Sequence, residues 1–337
     1  MEQPGFFDLT DRQALLERLG DPLPKIDELV DWEGFRSELE QIRDKPRKSN
    51  AGRKPFDVVL MFKVLVLQQM YNLSDDQTEY QIRDRYSFCR FLGLTPEGRV
   101  PDAKTIWLFR EQLVRRGLIE PLFGAFSSQI ETAGYQARKG QIVDASIVSA
   151  PKQRNGREDN AQIKAGKPPE DWSGNKRRQK DAEARWTKKH GKSYYGYKNH
   201  ISTDRAHKLI RRWSATAANV HDSQVLNELL DTDNTSAEIW ADSAYRSRDQ
   251  QQALAEQGFR SHIHRKGQAG KPLSERANEA NRKRSKVRAR VEHIFGQQTA
   301  MGGKLVRTIG MARAKFKIGM MNLVYNIRRM SWLENYA

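Results

Sequence analysis

The sequence predicts two architectures in one chain, an all-helical amino-terminal region followed by an α/β domain. Three observations predict it. From Phe56 to about Thr132 apolar residues recur at helical spacing, with no strand-like run. After Gly140, short apolar runs of strand type alternate with helical patterns. Two of those runs hold an aspartate, Asp144 and Asp242. Aspartate is depleted from strands and costly to bury alone, so each needs an explanation.

A length of 337 residues calls for two or three domains. Composition suggests an acidic helical segment at 1–46, a helical domain at 47–138 and an α/β domain at 139–337, with a basic insertion at about 150–192. The formal charge is +17, a balance suited to polyanions. It is unevenly spread. Lys152–Arg212 holds 18 basic and 7 acidic residues and Lys271–Ala337 holds 15 and 4, whereas the first 46 residues hold 6 and 12. Cys89 is the single cysteine, which excludes an internal disulfide and a cysteine zinc cluster and suits a reducing cytoplasm. Neither a secretory leader nor a membrane span is expected, because the apolar stretch Val58 to Leu67 is short and broken by Lys63.

Up to about Ile42 the chain reads as short acidic helices, which could dock on the body or on a second subunit. Lys45–Pro55 is a basic, turn-rich link, either solvated or an arm for DNA through Arg53 and Lys54. Phe56 to Met70 is nearly all apolar and should be a central core helix. Ser74 and Gln77 form a capping box for the next helix, and Asp102 caps one carrying Ile106, Trp107, Phe109 and Leu113. These helix pairs would read DNA through Lys104, Arg110, Arg115 and Arg116, or would simply build a bundle.

The α/β domain opens with a strand at Gln141–Val148. Pro151 to His190 is polar, with few core candidates besides Trp172 and Trp186, and reads as a mobile basic loop that orders on DNA. Ser193–Thr203 and Lys208–Thr216 form a hairpin around Asp204-Arg-Ala-His207. Lys198 there is either a phosphate contact or an ordinary edge-protecting lysine. Asp222 or Ser223 should cap the helix through Leu226, Leu229 and Leu230. Next come the Ile239–Ala241 strand bearing Asp242, a helix at Arg248–Gln257, and a short strand at Arg260–His264 whose His262 and His264 read as surface residues. A final helix should span Ala312 to Met330.

Between these last elements lies a basic helix, Arg282 to Gly296, with Val287, Val291, Ile294 and Phe295 on one stripe and Arg288 and Glu292 together along its edge. Alone, Glu292 would be an ordinary partner for an arginine one turn back. Placed after Asp144 and Asp242, it completes a strand, strand, helix order of three acids. Three converging carboxylates repel, and one or two hard divalent cations such as Mg²⁺ or Mn²⁺ relieve that repulsion.

Ordered blocks carry a resemblance across about Arg53 to Arg329. They are Gly52-Arg-Lys-Pro-Phe56, Asn72-Leu-Ser-Asp-Asp76, Phe91-Leu-Gly-Leu94, Asp102-Ala-Lys-Thr-Ile-Trp107, Ile142-Val-Asp-Ala-Ser146, Tyr195-Gly-Tyr-Lys198, Ala241-Asp-Ser-Ala-Tyr245, Arg290-Val-Glu-His-Ile-Phe-Gly296 and Arg307-Thr-Ile-Gly310. The chain resembles the DDE transposases of bacterial insertion sequences, in the group named after insertion sequence five. The resemblance implies a ribonuclease-H-like α/β catalytic domain of the retroviral-integrase type. It also implies Asp144, Asp242 and Glu292 as catalytic ligands of two Mg²⁺ ions, with Mn²⁺ able to substitute.

Arg288 would hold a phosphate or orient Glu292. The tyrosine and lysine that flank this motif in related transposases are Ser285 and Thr299 here, and Lys304 is the candidate for the lysine role. By the same resemblance the substrate is double-stranded DNA, cut at terminal inverted repeats and joined at its 3′ ends to a target. A dimer or larger assembly in the bacterial cytoplasm, at the nucleoid, would do this. A nuclease that cuts without joining would need the same acids, and a DNA-binding regulator would need only the basic surface.

Overall fold

The computed structural model describes residues 8–43, 54–95, 97–167, 169–189, 191–267 and 270–336. The chain divides into two compact units, Met1–Arg116 with Met330–Ala337, and Gly117–Arg329.

The first unit is helical. Its helices are α1 (Asp8–Arg18), α2 (Leu23–Leu29), α3 (Arg36–Glu40), α4 (Val58–Met70), α5 (Asp75–Asp84), α6 (Tyr86–Leu92) and α7 (Ala103–Arg116). The apolar run makes α4 the core helix, buried on nearly every side, with Asp57 accepting from the amides of Val59 and Leu60. Ser74 and Gln77 form the expected capping box on α5, and Asp102 accepts from Thr105 N at 2.6 Å. The acidic segment docks within this unit: Trp32 meets Phe91 edge-on at 5.5 Å, and Phe35 lies 4.9 Å from Phe62 of α4.

The second unit begins with α8 (Ile119–Thr132), which the sequence groups with the earlier helices. It belongs here because Phe123 packs edge-on against Trp213 at 6.0 Å and Glu120 pairs with Lys315 at 2.8 Å. A six-stranded mixed sheet follows: β1 (Gln141–Ser149), β2 (Arg185–Lys189), β3 (Lys192–Asp204), β4 (Ile210–Ala217), β5 (Glu238–Ala241) and β6 (Arg260–Ser261). β3 pairs antiparallel with β1, β2 and β4, whereas β5 pairs parallel with both β1 and β6. Strands first and fourth in the expected order, β1 and β5, are therefore neighbours. The remaining helices are α9 (Arg157–Lys164), α10 (Gly174–Gln179), α11 (Leu226–Leu229), α12 (Arg248–Glu256), α13 (Glu275–Ala300) and α14 (Met311–Tyr336).

The basic insertion departs from the expected loop, because α9, α10 and β2 give it regular structure. Its anchors are polar and reach β3 as well as neighbouring residues. Asp181, 2% exposed, accepts from the Tyr197 hydroxyl at 2.7 Å and from the amides of Glu183 and Ala184. The Tyr195 hydroxyl donates to Asp181 O at 2.8 Å, and Trp172 is buried.

Buried amides fasten α13 and α14 to the sheet. Asn199 of β3 and Asn322 of α14 exchange hydrogen bonds at 2.9 and 3.0 Å, and Gln298 of α13 donates to Asn322 at 2.8 Å. Asn326 closes the main chain of Ile210 through its own donor and acceptor. Among the described residues no helix is long and apolar enough to cross a membrane.

Candidate active site

The parallel ladder between β1 and β5 pairs Gln141 with Ile239, Ile142 with Trp240 and Val143 with Ala241. One residue further along both strands come Asp144 and Asp242. The register that buries Ile142, Val143, Ile239 and Ala241 thus sets the two acids side by side where the strands part. There β5 ends, because Asp242 caps a tight turn over Ser243–Tyr245. Its Oδ1 accepts from the Ser243 hydroxyl at 3.0 Å and from Ala244 N at 3.4 Å. Helix α13 packs on both strands.

From that helix Arg288 reaches Asp144: Nη1 donates to Oδ2 at 2.6 Å, while Ala145 N donates to Oδ1 at 2.8 Å. Burial pushes the Asp144 carboxyl above its ordinary range and Asp242 adds to the rise, against the pull of Arg288, Ala145 and Lys189. Asp242 moves the other way. Burial raises it, but the Ser243 hydroxyl, Arg288 and two amides outweigh that and hold it below the ordinary range. Two neighbouring acids with opposed shifts are a common signature of a working site.

Glu292 follows Arg288 by one turn and is exposed. Among the described residues no three acids, imidazoles or thiols gather closely enough to hold one metal ion, so Glu292 stands apart from the Asp144–Asp242 pair. Its place on the same edge of α13 as Arg288 keeps it within about one helical turn, 5–6 Å between Cβ atoms. The oxygen-only donors of the acid pair fit a hard divalent cation. Two polar atoms near the pair, the buried Tyr245 hydroxyl and Arg288 Nε, have no hydrogen-bond partner among the described residues; of these only the hydroxyl oxygen is compatible with a cation nearby, since the guanidinium N–H can only donate.

Several cations expected to contact phosphate are engaged within the protein. Arg288 holds Asp144 rather than Glu292. Lys198 donates at 2.7 Å to both Asp222 Oδ1 and Val220 O, so the strand lysine is neither free nor an edge guard. The same pair corrects the expectation for Asp222: the side chain accepting from Ser223 N is that of His221. Arg110 grips Asp75 through both terminal nitrogens, at 2.7 and 2.8 Å, and also bonds Gln68, which makes it a structural tie of the helical unit.

Lys304 is exposed, but its carbonyl accepts from Ser149 N, five residues along β1 from Asp144 and hence about 16 Å away. Lys54, Lys104, Arg115 and Arg116 are exposed, and Arg53 lies outside the described residues.

Three residues at the site escaped the sequence reading. His264 faces Ser285 at 3.3 Å in the field of Arg288 and Asp242, and burial depresses its pKa. Tyr245 lies in the field of Asp222 as well as of the acid pair. Tyr245 had a visible signal as the last residue of Asp242-Ser-Ala-Tyr245, and Asp222 had one beside His221 that reads first as a cap.

A mixed sheet carrying an acid pair where two parallel neighbours part, crossed by a basic helix, defines a carboxylate-centred α/β domain. Residues 135–327 match the family described as Transposase DDE domain, and residues 10–112 match Transposase domain (DUF772). The chain belongs to the DDE transposase family, whose members are polynucleotidyl transferases or nucleases and typically use divalent metal ions. Among solved structures, a piggyBac transposase synaptic complex with hairpin DNA, determined by cryo-EM, is similar at 12% identity and a TM-score of 0.48. The similarity covers 93% of this chain and 75% of that one.

Proposed function

We propose that this protein is the transposase of a bacterial insertion sequence of the insertion-sequence-five group. On this reading it binds the terminal inverted repeats of its element, cuts there and joins the 3′ ends to target DNA. Its second unit is then a ribonuclease-H-like domain of the retroviral-integrase type, with Asp144, Asp242 and Glu292 as catalytic acids. The observation that carries the reading is the ladder between β1 and β5, which sets Asp144 beside Asp242 under the helix that bears Arg288 and Glu292.

Asp144 and Asp242 would hold divalent ions, Mg²⁺ or in its place Mn²⁺, with Glu292 approaching from α13. Bound there, two such ions supply an activated water or 3′-hydroxyl and stabilise the leaving 3′-oxygen. The chain's own residues do the rest. The Ser243 hydroxyl and the Ala244 amide fix Asp242 and keep it ionised. Arg288, on release from Asp144, would take a phosphate oxygen of the strand being cut.

Double-stranded DNA is the partner that a charge of +17 favours, engaged as a dimer or larger assembly. The exposed Lys54, Lys104, Arg115, Arg116 and Lys304 are candidates for backbone contacts, with Arg53 next to Lys54 in sequence.

The test is Asp242→Asn. Affinity for a duplex carrying the element's end should be kept or raised, while Mg²⁺-dependent cleavage disappears. Cleavage that survives the substitution would remove Asp242 from the site.

A further inference from the structure

Tyr245 is fully buried, and its ring packs in an apolar cluster with Val143, Leu226, Leu229, Ile239 and Leu254. Phenylalanine would fill that space equally well. The hydroxyl is the anomaly, since it is buried without a hydrogen-bond partner among the described residues. A buried donor left unmade costs stability that an apolar ring would not.

The surroundings of that hydroxyl are not those of a hydrophobic core. It lies in the field of three carboxylates, Asp222, Asp144 and Asp242, with Arg288 the opposing charge. Asp222 is held in place by Lys198 at 2.7 Å. Tyr245 is also tied to Asp242 through the backbone, since it ends the turn that Asp242 caps and its amide donates to Asp242 O at 3.1 Å. Two of the hydrogen bonds to the Asp242 carboxylate, from the Ser243 hydroxyl and the Ala244 amide, fall on Oδ1. Asp144, by contrast, has one donor on each oxygen.

We propose that Tyr245 is a positioning residue of the acid pair, whose hydroxyl donates to Asp242 Oδ2, directly or through one water, when that carboxylate holds a divalent ion. The assignment rests on the reading of Asp144 and Asp242 as the metal-holding pair. A phenol donating to a ligating carboxylate fixes its rotamer and leaves the other oxygen aimed at the ion. Partners of this kind typically contribute roughly 10- to 100-fold to metal affinity.

The experiment titrates the full-length protein, without DNA, with Mn²⁺ alone. Free ion is followed by electron paramagnetic resonance, and thermal unfolding is recorded in parallel. Y245F should keep or raise the unfolding temperature, since it removes an unpaired donor, and should bind Mn²⁺ roughly 10-fold more weakly or worse. A Y245F protein that binds Mn²⁺ within about twofold of the parent overturns the proposal, whatever happens to its stability. D144N and D242N separate the two levels of failure. If both bind Mn²⁺ like the parent, the acid pair is not the metal site and the proposal falls with that reading; if both lose Mn²⁺ and Y245F does not, the role given to Tyr245 alone is wrong.

Discussion

Replacing Arg288 with alanine takes the counter-charge from a carboxylate that is only 12% exposed. The Arg288–Asp144 contact of 2.6 Å puts the charge centres about 4 Å apart, an attraction of roughly 4 kcal/mol at an effective dielectric near 20. Desolvation of both groups offsets part of this. Losing one partner of such a pair nevertheless leaves an uncompensated charge, and the second unit should lose about 2–4 kcal/mol.

The pH dependence follows from the sign of the shift. Burial already holds Asp144 above its ordinary range, and without Arg288 that rise grows. The folded state then keeps a proton that the unfolded chain has released, so stability falls as pH rises from the ordinary carboxylate value through the raised one. The deficit of R288A should therefore be largest at about pH 7.5 and shrink toward about pH 4.

Urea unfolding followed by hydrogen exchange in the peptide spanning residues 141–149 reports this unit alone. A double-mutant cycle with D144N should give a coupling of about 2 kcal/mol. If R288A stays within about 0.5 kcal/mol of the parent near neutral pH, or if the two substitutions simply add, the pair is not what stabilises Asp144.

Gly196, at φ +149°, is where β3 approaches the end of β1, and an added Cβ would meet Val148 O, Ala150 N at 2.7 Å and Ser149 C at 2.9 Å. Because these are all backbone atoms that cannot swing away, Gly196→Ala should cost at least about 3 kcal/mol, measured as a shift in the urea midpoint. A well-folded alanine variant would contradict that register. His200 is fully buried, and burial first, with Lys198 adding and Asp222 opposing, lowers its pKa to about 4. Its contribution is intact above the unfolded value near 6.5 and is lost as pH falls toward about 4, a penalty of about 3 kcal/mol at most. His200→Gln should flatten that part of the stability profile, and an unchanged acid slope would assign it to other groups.

What the sequence made legible was local. Capping chemistry at Ser74 and Asp102 and the continuous apolar run of α4 depend on residues a few positions apart, so spacing alone exposes them. Strand runs around Asp144 and Asp242 were visible for the same reason. The insertion at 150–192 was misread because its anchors are polar or distant. Asp181 is held by the Tyr195 and Tyr197 hydroxyls of β3, on its main-chain oxygen and its carboxylate, which no count of apolar residues reveals. The periodicity of α8 likewise says that it has a buried face and not which partner covers it.

On its own, the sequence determined the order of elements, the two strand aspartates and the basic helix that carries Arg288 and Glu292. Only the tertiary structure decided how those charges are spent. It set Arg288 on Asp144, Lys198 on Asp222 and Arg110 on Asp75, and it left Glu292 exposed and the Tyr245 hydroxyl without a partner among the described residues. The reason is physical: a cation's partner is the carboxylate that the fold brings within about 3 Å, and that distance is fixed by strand register and helix packing between residues as far apart as 144 and 288.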